Sequence, residues 1–531
     1  MDVLRVTDPV PKQNPINSKL TSGKELHRDA IQCGLICSDL LRKKLLQFST
    51  NVSKRDELKK IVRSLKKQAD QERLAKAQND YGYMLATGSG LKKHYKMARE
   101  YFERKEAKSL PEALYNYGYM EENGLRGSKK NQAETKEPKL REACRLYRLA
   151  ADQGLPEARN NLGRMYELGL GVGQDHAEAC KWYQKAADQG HARAQCNLGV
   201  MYEEGHGVGQ DYGEACRLYR LAADQGLPEA RNNLGRMYEL GLGVGQDHAE
   251  ACKWYQKAAD QGHARAQCNL GVMYEEGHGV GQDYGEACRL YRLAADQGLP
   301  EARNNLGRMY ELGLGVGRDD REACNWFEKA LDQKGLPEAQ FNLGRMYELG
   351  LGVGRDDKGA CRLYRLAADQ GLPEARNNLG RMYELGLGVG RDDKGACRLY
   401  RLAADQGLPE ARNNLGRMYE LGLGVGRDDK GACRLYRLAA DQGLPEAQFN
   451  LGRMYELGFG VGQDHAEACK WYRKAADQGH TRAQCNLGVM YKDGCGNAIE
   501  QSKVKARYWY HKAAEQGDRS AWEALRAMNA W

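Results

Sequence analysis

Sixteen cysteines, eleven histidines and a recurrent glycine run are the residue types in this chain that could carry chemistry. Thiols and imidazoles at short spacing would hold zinc, and paired cysteines would cross-link a small secreted fold. A glycine run between a strand and a helix would cradle phosphate. The spacing supports none of these. Ten of the cysteines, Cys144, Cys180, Cys216, Cys252, Cys288, Cys324, Cys361, Cys397, Cys433 and Cys469, fall at one recurring place, which reads as a column of small buried apolar residues. Cys196, Cys268 and Cys485 recur at a second place, and His191, Cys196 and His206 lack a zinc spacing. The run Gly169-Leu170-Gly171-Val172-Gly173 follows a helical pattern and leads into Gln174-Asp175, not into the Lys-Ser/Thr of a phosphate loop. No Ser or Cys stands in a unique context with a His and a carboxylate. The expectation is a protein without catalytic residues, metal or cofactor.

Bulk properties narrow the classes further. The 531 residues have a mean hydropathy of -0.76, and no apolar run approaches the roughly 18 residues of a membrane span. The patch from Ile31 to Leu46 is broken by Asp39 and Arg42, and Met1 to Pro15 lacks the apolar core of a secretory signal, so a cytoplasmic location is expected. Net charge is +9, from 81 Lys plus Arg against 72 Asp plus Glu. Residues 1–75 hold 16 of the former and 9 of the latter, which places +7 of the charge there. A nearly neutral remainder argues against nucleic-acid binding by the main body.

What must position any functional side chain is a repeat. Cys144 to Ala215 recurs unchanged as Cys216 to Ala287, and Arg355 to Gly390 as Arg391 to Gly426, so the unit is 36 residues long. One alanine marks it at Ala158, Ala194, Ala230, Ala266, Ala302, Ala339, Ala375, Ala411, Ala447 and Ala483, with Lys334 as the single extra residue. Degenerate copies extend back through Ala113 and Ala77, across a polar insertion around Gly127 to Lys139, and forward past a loop near Cys495 to Ala521.

Each unit spells two helices. Helix one, from Pro156 to Leu168 in one copy, places Ala158, Leu162, Met165 and Tyr166 at helical spacing after a first-turn proline. Helix two starts at Asp175, whose carboxylate caps free amides, and buries Ala179, Cys180, Tyr183, Ala186 and Ala187. Gly163 lies inside helix one, where glycine costs about 1 kcal/mol against alanine, so a close helix approach must offset it. One pair of helices cannot enclose a core. Stacked pairs can, and the expected fold is one solenoid, giving an elongated particle.

The pattern Ala158-x3-Leu162-Gly163-x2-Tyr166-x2-Gly169-x-Gly171-Val172, followed by Ala179-x3-Tyr183-x2-Ala186-Ala187-x2-Gly190, resembles the Sel-one-like repeat, a relative of the tetratricopeptide repeat. The resemblance implies an all-α, right-handed superhelical α-solenoid of antiparallel helix pairs, and a non-catalytic adaptor that binds one or more proteins or extended peptide segments. Some secreted members staple each repeat with a cysteine pair; here most units have one cysteine, and reduced thiols are expected. By analogy with tetratricopeptide packing, the concave wall is lined by helix one at Asn160, Arg164 and Glu167, Asn232, Arg236 and Glu239, Asn304, Arg308 and Glu311, Asn377, Arg381 and Glu384, and Asn413, Arg417 and Glu420. Alternate units hold Cys196, Val200 and Glu203, or Cys268, Val272 and Glu275. An arginine ladder of this kind would hold carboxylates or carbonyls of a partner. The plainer reading is that Arg164 pairs with Glu167 along a solvated wall. Asn161, Asn197 and Asn233 are expected to satisfy loop backbone.

Four regions are expected: a basic segment 1–53, partly disordered or helical; degenerate repeats with a capping helix at 54–138; regular repeats at 139–498; and a closing degenerate repeat at 499–531. Leu58, Ile61, Val62 and Leu65 form one face of a basic amphipathic helix that either caps the first repeat or touches an anionic membrane. The chain is expected to be a monomer. Alternatives are a bacterial effector acting on host proteins and a β-lactam hydrolase like some secreted cysteine-rich relatives.

Overall fold

The architecture comes from a computed structural model that describes residues 35–49, 55–125, 136–331, 335–494 and 500–529. Residues 1–34, Lys334 and Cys495 lie outside this set, as does most of the insertion expected at Gly127 to Lys139. Its last residues differ from expectation, because a helix already begins at Lys136 and runs to Asp152. Among the described residues there are 27 α-helices and no strand, arranged as paired helices in a repeat array. The fold is an all-α solenoid.

Local chemistry delimits each helix as the spacing implied. Helix one of a regular unit, Pro156–Leu168, opens on proline and ends at Gly169. Helix two, His176–Ala187, is preceded by Asp175, whose Oδ1 accepts the Glu178 amide at 2.9 Å. Such a cap stabilises by about 1 kcal/mol. Inside helix one, a Cβ on Gly163 would lie 2.7 Å from the Tyr183 ring, which identifies the close approach that its helix-weakening glycine permits. In the connecting loop, Gly171 combines φ of +69° with a Cβ direction only 2.3 Å from the Leu140 carbonyl carbon of the preceding repeat. The glycine run therefore serves packing between repeats.

Packing joins neighbouring repeats, as around Tyr183. Ala179, Cys180, Tyr183, Ala186 and Ala187 of one helix two meet Ala194, Leu198 and Met201 of the following helix one, and Leu218 of the helix two beyond. Full burial of a Leu or Met contributes roughly 1.5–3 kcal/mol, and closely similar sets recur around Tyr219, Tyr291 and Tyr436. The ten cysteines of the column are buried, and several also bond: Cys216 Sγ donates to the Leu242 carbonyl at 3.1 Å and Cys361 Sγ to the Leu387 carbonyl at 3.2 Å. None of the described cysteines is disulfide-bonded.

The chain divides into two compact units, residues 1–263 and 264–531. In the first, the helix Arg55–Asp70 lays Leu58, Ile61, Val62 and Leu65 against the core of the first repeats, while Lys59, Lys60, Arg63, Lys66 and Lys67 face solvent. The apolar face that a bilayer would need is thus committed to the array. In the second unit, the helix Arg519–Asn529 closes the end by burying Ala521 and Leu525. No helix among the described residues is long and apolar enough to cross a membrane.

Candidate functional site

The helix-one wall differs from the expected row of solvent-facing rungs. Its arginines and glutamates do not pair within a helix. Arg164 donates to Glu122 of the preceding repeat, Arg236 to Glu203, Arg381 to Glu348, and Arg417 to Glu384 at 2.5 Å. Arg308 reaches Glu275 at 3.3 Å. Each of these glutamates is held on its other oxygen by a tyrosine of its own helix two: Tyr219 donates to Glu203 and Tyr364 to Glu348 at 2.8 Å, and Tyr400 to Glu384 at 2.9 Å. Glu420 follows the same rule, taking Tyr436 at 2.8 Å and Arg453 of the next repeat. Glu311 takes Arg345 and, among the described residues, no tyrosine, because Phe327 stands where other units have one. Glu167 has Tyr183 at 2.5 Å, and Val200 replaces the arginine that would reach it from the next repeat. Glu239 accepts from Tyr255 at 2.5 Å.

The reason is geometric. Successive helix-one segments lie side by side in register, so a long arginine reaches a neighbour's carboxylate that a tyrosine hydroxyl has already oriented. Burial opposes the charge on Arg236, but Glu203 beside it holds its pKa above the ordinary value. Burial pushes Tyr219 well above the usual phenol range, and the facing Glu203 pushes it further. Glu384 is 8% exposed, whereas the side chain of Arg417 is 45% exposed and that of Arg381 is 43% exposed. The glutamates are therefore structural, and the arginines present their outer edges to solvent.

The asparagines form a second ladder. Asn160, Asn232 and Asn304 are buried instead of solvent-facing. Asn160 accepts from Asn197 of the next repeat at 3.0 Å, Asn304 from Asn342 at 3.0 Å, Asn377 from Asn414 at 2.9 Å, and Asn413 from Asn450 at 2.9 Å. Asn232 donates to Asn233 at 3.5 Å. The residues assigned to loop backbone therefore bridge repeats: Asn161 donates to the Tyr115 hydroxyl at 3.4 Å and Asn233 to Cys196 Sγ at 3.9 Å.

At the start of the array this wall carries something the sequence reading missed. Residues 35–38 are non-helical and lie on the first two repeats. Asn116 grips Ile36 by its backbone, accepting its amide and donating to its carbonyl, both at 2.6 Å. The same side chain donates to Asn79 at 2.9 Å, as the later ladder asparagines donate to theirs. Asp80, at the corresponding place one repeat earlier, accepts the Ser38 amide at 2.7 Å and also the Ser38 hydroxyl. Burial pushes the Asp80 carboxyl up, against the two Ser38 bonds that favour its charged form. The recurrence of asparagine three residues after the marker alanine was the available signal. Among the described residues, no group of three or more His, Cys, Asp or Glu side chains is placed to hold a metal.

Comparison with known proteins agrees with this architecture. A model described as the Sel1 repeat matches twelve segments, beginning with residues 75–104 and 111–155 and ending with 445–480 and 481–518. A protective antigen of uropathogenic Escherichia coli strains with an SLR fold is 33% identical over 88% of this chain and 97% of that one, with a TM-score of 0.66. A Sel1 repeat protein of Oxalobacter formigenes is 36% identical over 58% of this chain and 89% of that one, with a TM-score of 0.44. No curated protein matches the chain. With repeat matches running from residue 75 to 518 and an SLR antigen aligned along most of its length, this chain belongs to the Sel1 repeat family.

Proposed function

We propose that the protein is a non-catalytic scaffold that binds partner proteins along its helix-one wall. The observation that carries this reading is the segment at residues 35–38, which this wall already holds in place through side-chain amides and a carboxylate. The outer edges of Arg381 and Arg417 add half-exposed guanidinium groups at a one-repeat interval, suited to carboxylates or carbonyls of a bound chain. Asn377, Arg381, Asn413 and Arg417 are the binding positions of that stretch, with Glu348 behind Arg381 and Glu384 behind Arg417, while Glu420 supports Arg453 of the following repeat. In the other repeats the exposed edges of Arg164, Arg236 and Arg308 continue the row, while the buried Asn160, Asn232 and Asn304 and the glutamates Glu167, Glu239 and Glu311 brace it from behind.

Charge reversal is a poor test, because Glu348 and Glu384 would lose their partners. Arg381→Lys with Arg417→Lys keeps a cation beside each glutamate and removes the fork. The expected result is an unchanged helical circular-dichroism spectrum with reduced capture of the native partner from cell extract. Undiminished capture by this variant and by the matching Arg236→Lys, Arg308→Lys pair sinks the wall as the binding surface. A second reading, a bacterial factor acting on host proteins, draws on the likeness to the uropathogenic E. coli antigen. Transfer of the tagged protein into a host cell would favour it.

A further inference from the structure

We propose that the asparagine ladder is a backbone clamp, and that Asn414 and Asn450 hold an extended segment of a partner protein as Asp80 and Asn116 hold residues 35–38. This deepens the scaffold reading and rests on it. A side-chain amide has two N–H donors and one acceptor oxygen. Asn116 uses all of them: one N–H on Asn79, the other on the Ile36 carbonyl, and its oxygen on the Ile36 amide. Asn414 and Asn450 repeat the first of these bonds, to Asn377 and Asn413, which fixes each amide in the same orientation. Each is half-buried, and neither makes any further hydrogen bond among the described residues. One N–H and the oxygen are left on each, in adjacent repeats, on the face of helix one that carries Ile36 at the start of the array.

The bound segment sets the rule of register. Ile36 sits on the second repeat and Ser38 on the first, so the chain advances two residues per repeat and runs against the order of the array. Two residues of extended chain cover about 6.6 Å and return the same side to the wall. The occupant is therefore an extended segment with free backbone amides. Its residue on Asn450 precedes by two its residue on Asn414. Leu35, Ile36 and Cys37 pack against the core beneath them, so apolar side chains accompany the clamped amides.

The test uses the full chain and a fluorescent peptide, Gly-Leu-Ile-Ser-Ser-Asp, which copies residues 34–39 with serine for Cys37. Saturable binding is expected, weakened about tenfold by N-methylation of the isoleucine amide, because one bond is lost and a carbonyl or amide is left unpaired. Asn414→Ala with Asn450→Ala should weaken it by about tenfold or more. The methylated peptide leaves the protein intact, so a folding defect in the variant cannot mimic the result. Affinity unchanged by both modifications, or no binding of the parent peptide, overturns the clamp. Dimerisation of the full chain that the peptide abolishes would make a second copy the occupant and overturn the partner assignment. If the clamp fails while the arginine-to-lysine variants still lose partner capture, the wall binds through side chains and the scaffold reading survives alone.

Discussion

Glu384 shows what a single residue does in this array. It joins its own repeat through Tyr400 and the next through Arg417, and it is buried. Glu384→Gln keeps the shape but removes the charge that both partners address. A loss of about 1–3 kcal/mol is expected, seen as a lower urea midpoint of the transition that includes this repeat. Arg391 also faces a carboxylate, Asp393 at 2.9 Å, but with its own side chain largely in solvent. Arg391→Gln should leave the same midpoint unchanged, since exposed pairs contribute little. Equal shifts for the two variants would show that burial of the tyrosine–glutamate–arginine relay adds nothing.

At the scale of the element, aspartate and histidine caps respond differently to pH. Most helix-two segments start from aspartate caps. His191 and His480 instead cap helix one, each accepting an amide on Nδ1 at 3.1 Å, which requires a neutral imidazole on that nitrogen. Burial pulls the His191 pKa down to about 4, with Arg193 adding to it, and burial likewise lowers that of His480. A base whose folded-state pKa is depressed binds its proton first in the unfolded chain. The stabilisation is complete above the unfolded value of about 6.5 and disappears as pH falls toward about 4. Thermal midpoints should therefore fall between about pH 7 and about pH 4, and His191→Asn with His480→Asn should reduce the slope, since asparagine caps at either pH. Identical slopes for the parent and the double variant would refute this.

At the scale of the whole molecule, each repeat is stabilised by its neighbours, and stability should decay from an uncovered end. Removing Arg519–Asn529 takes Ala521 and Leu525 off the last pair. Hydrogen exchange should accelerate in Lys503–Glu515 and leave Pro373–Leu385 protected. Uniform acceleration through residues 373–515 would mean that this stretch unfolds as one unit.

The repeat period, the two helices of each unit and the burial of the cysteine column were legible in the amino-acid order, because each depends on spacing along a single helix. Asp175 as a cap and Gly163 as a point of close approach were legible for the same reason. Which wall residues face solvent was not. Spacing puts Arg164 and Glu167 one turn apart on helix one, yet the first bonds to Glu122 on the neighbouring repeat and the second to Tyr183 on the facing helix two of its own repeat. Asparagine recurred plainly in the sequence, but its role depends on the distance between neighbouring helices. Asn116 and Ile36 are 80 residues apart, and no local pattern relates them. Periodicity determined the elements, and only the stacking of repeats decided which side chains brace the wall and which can hold another chain.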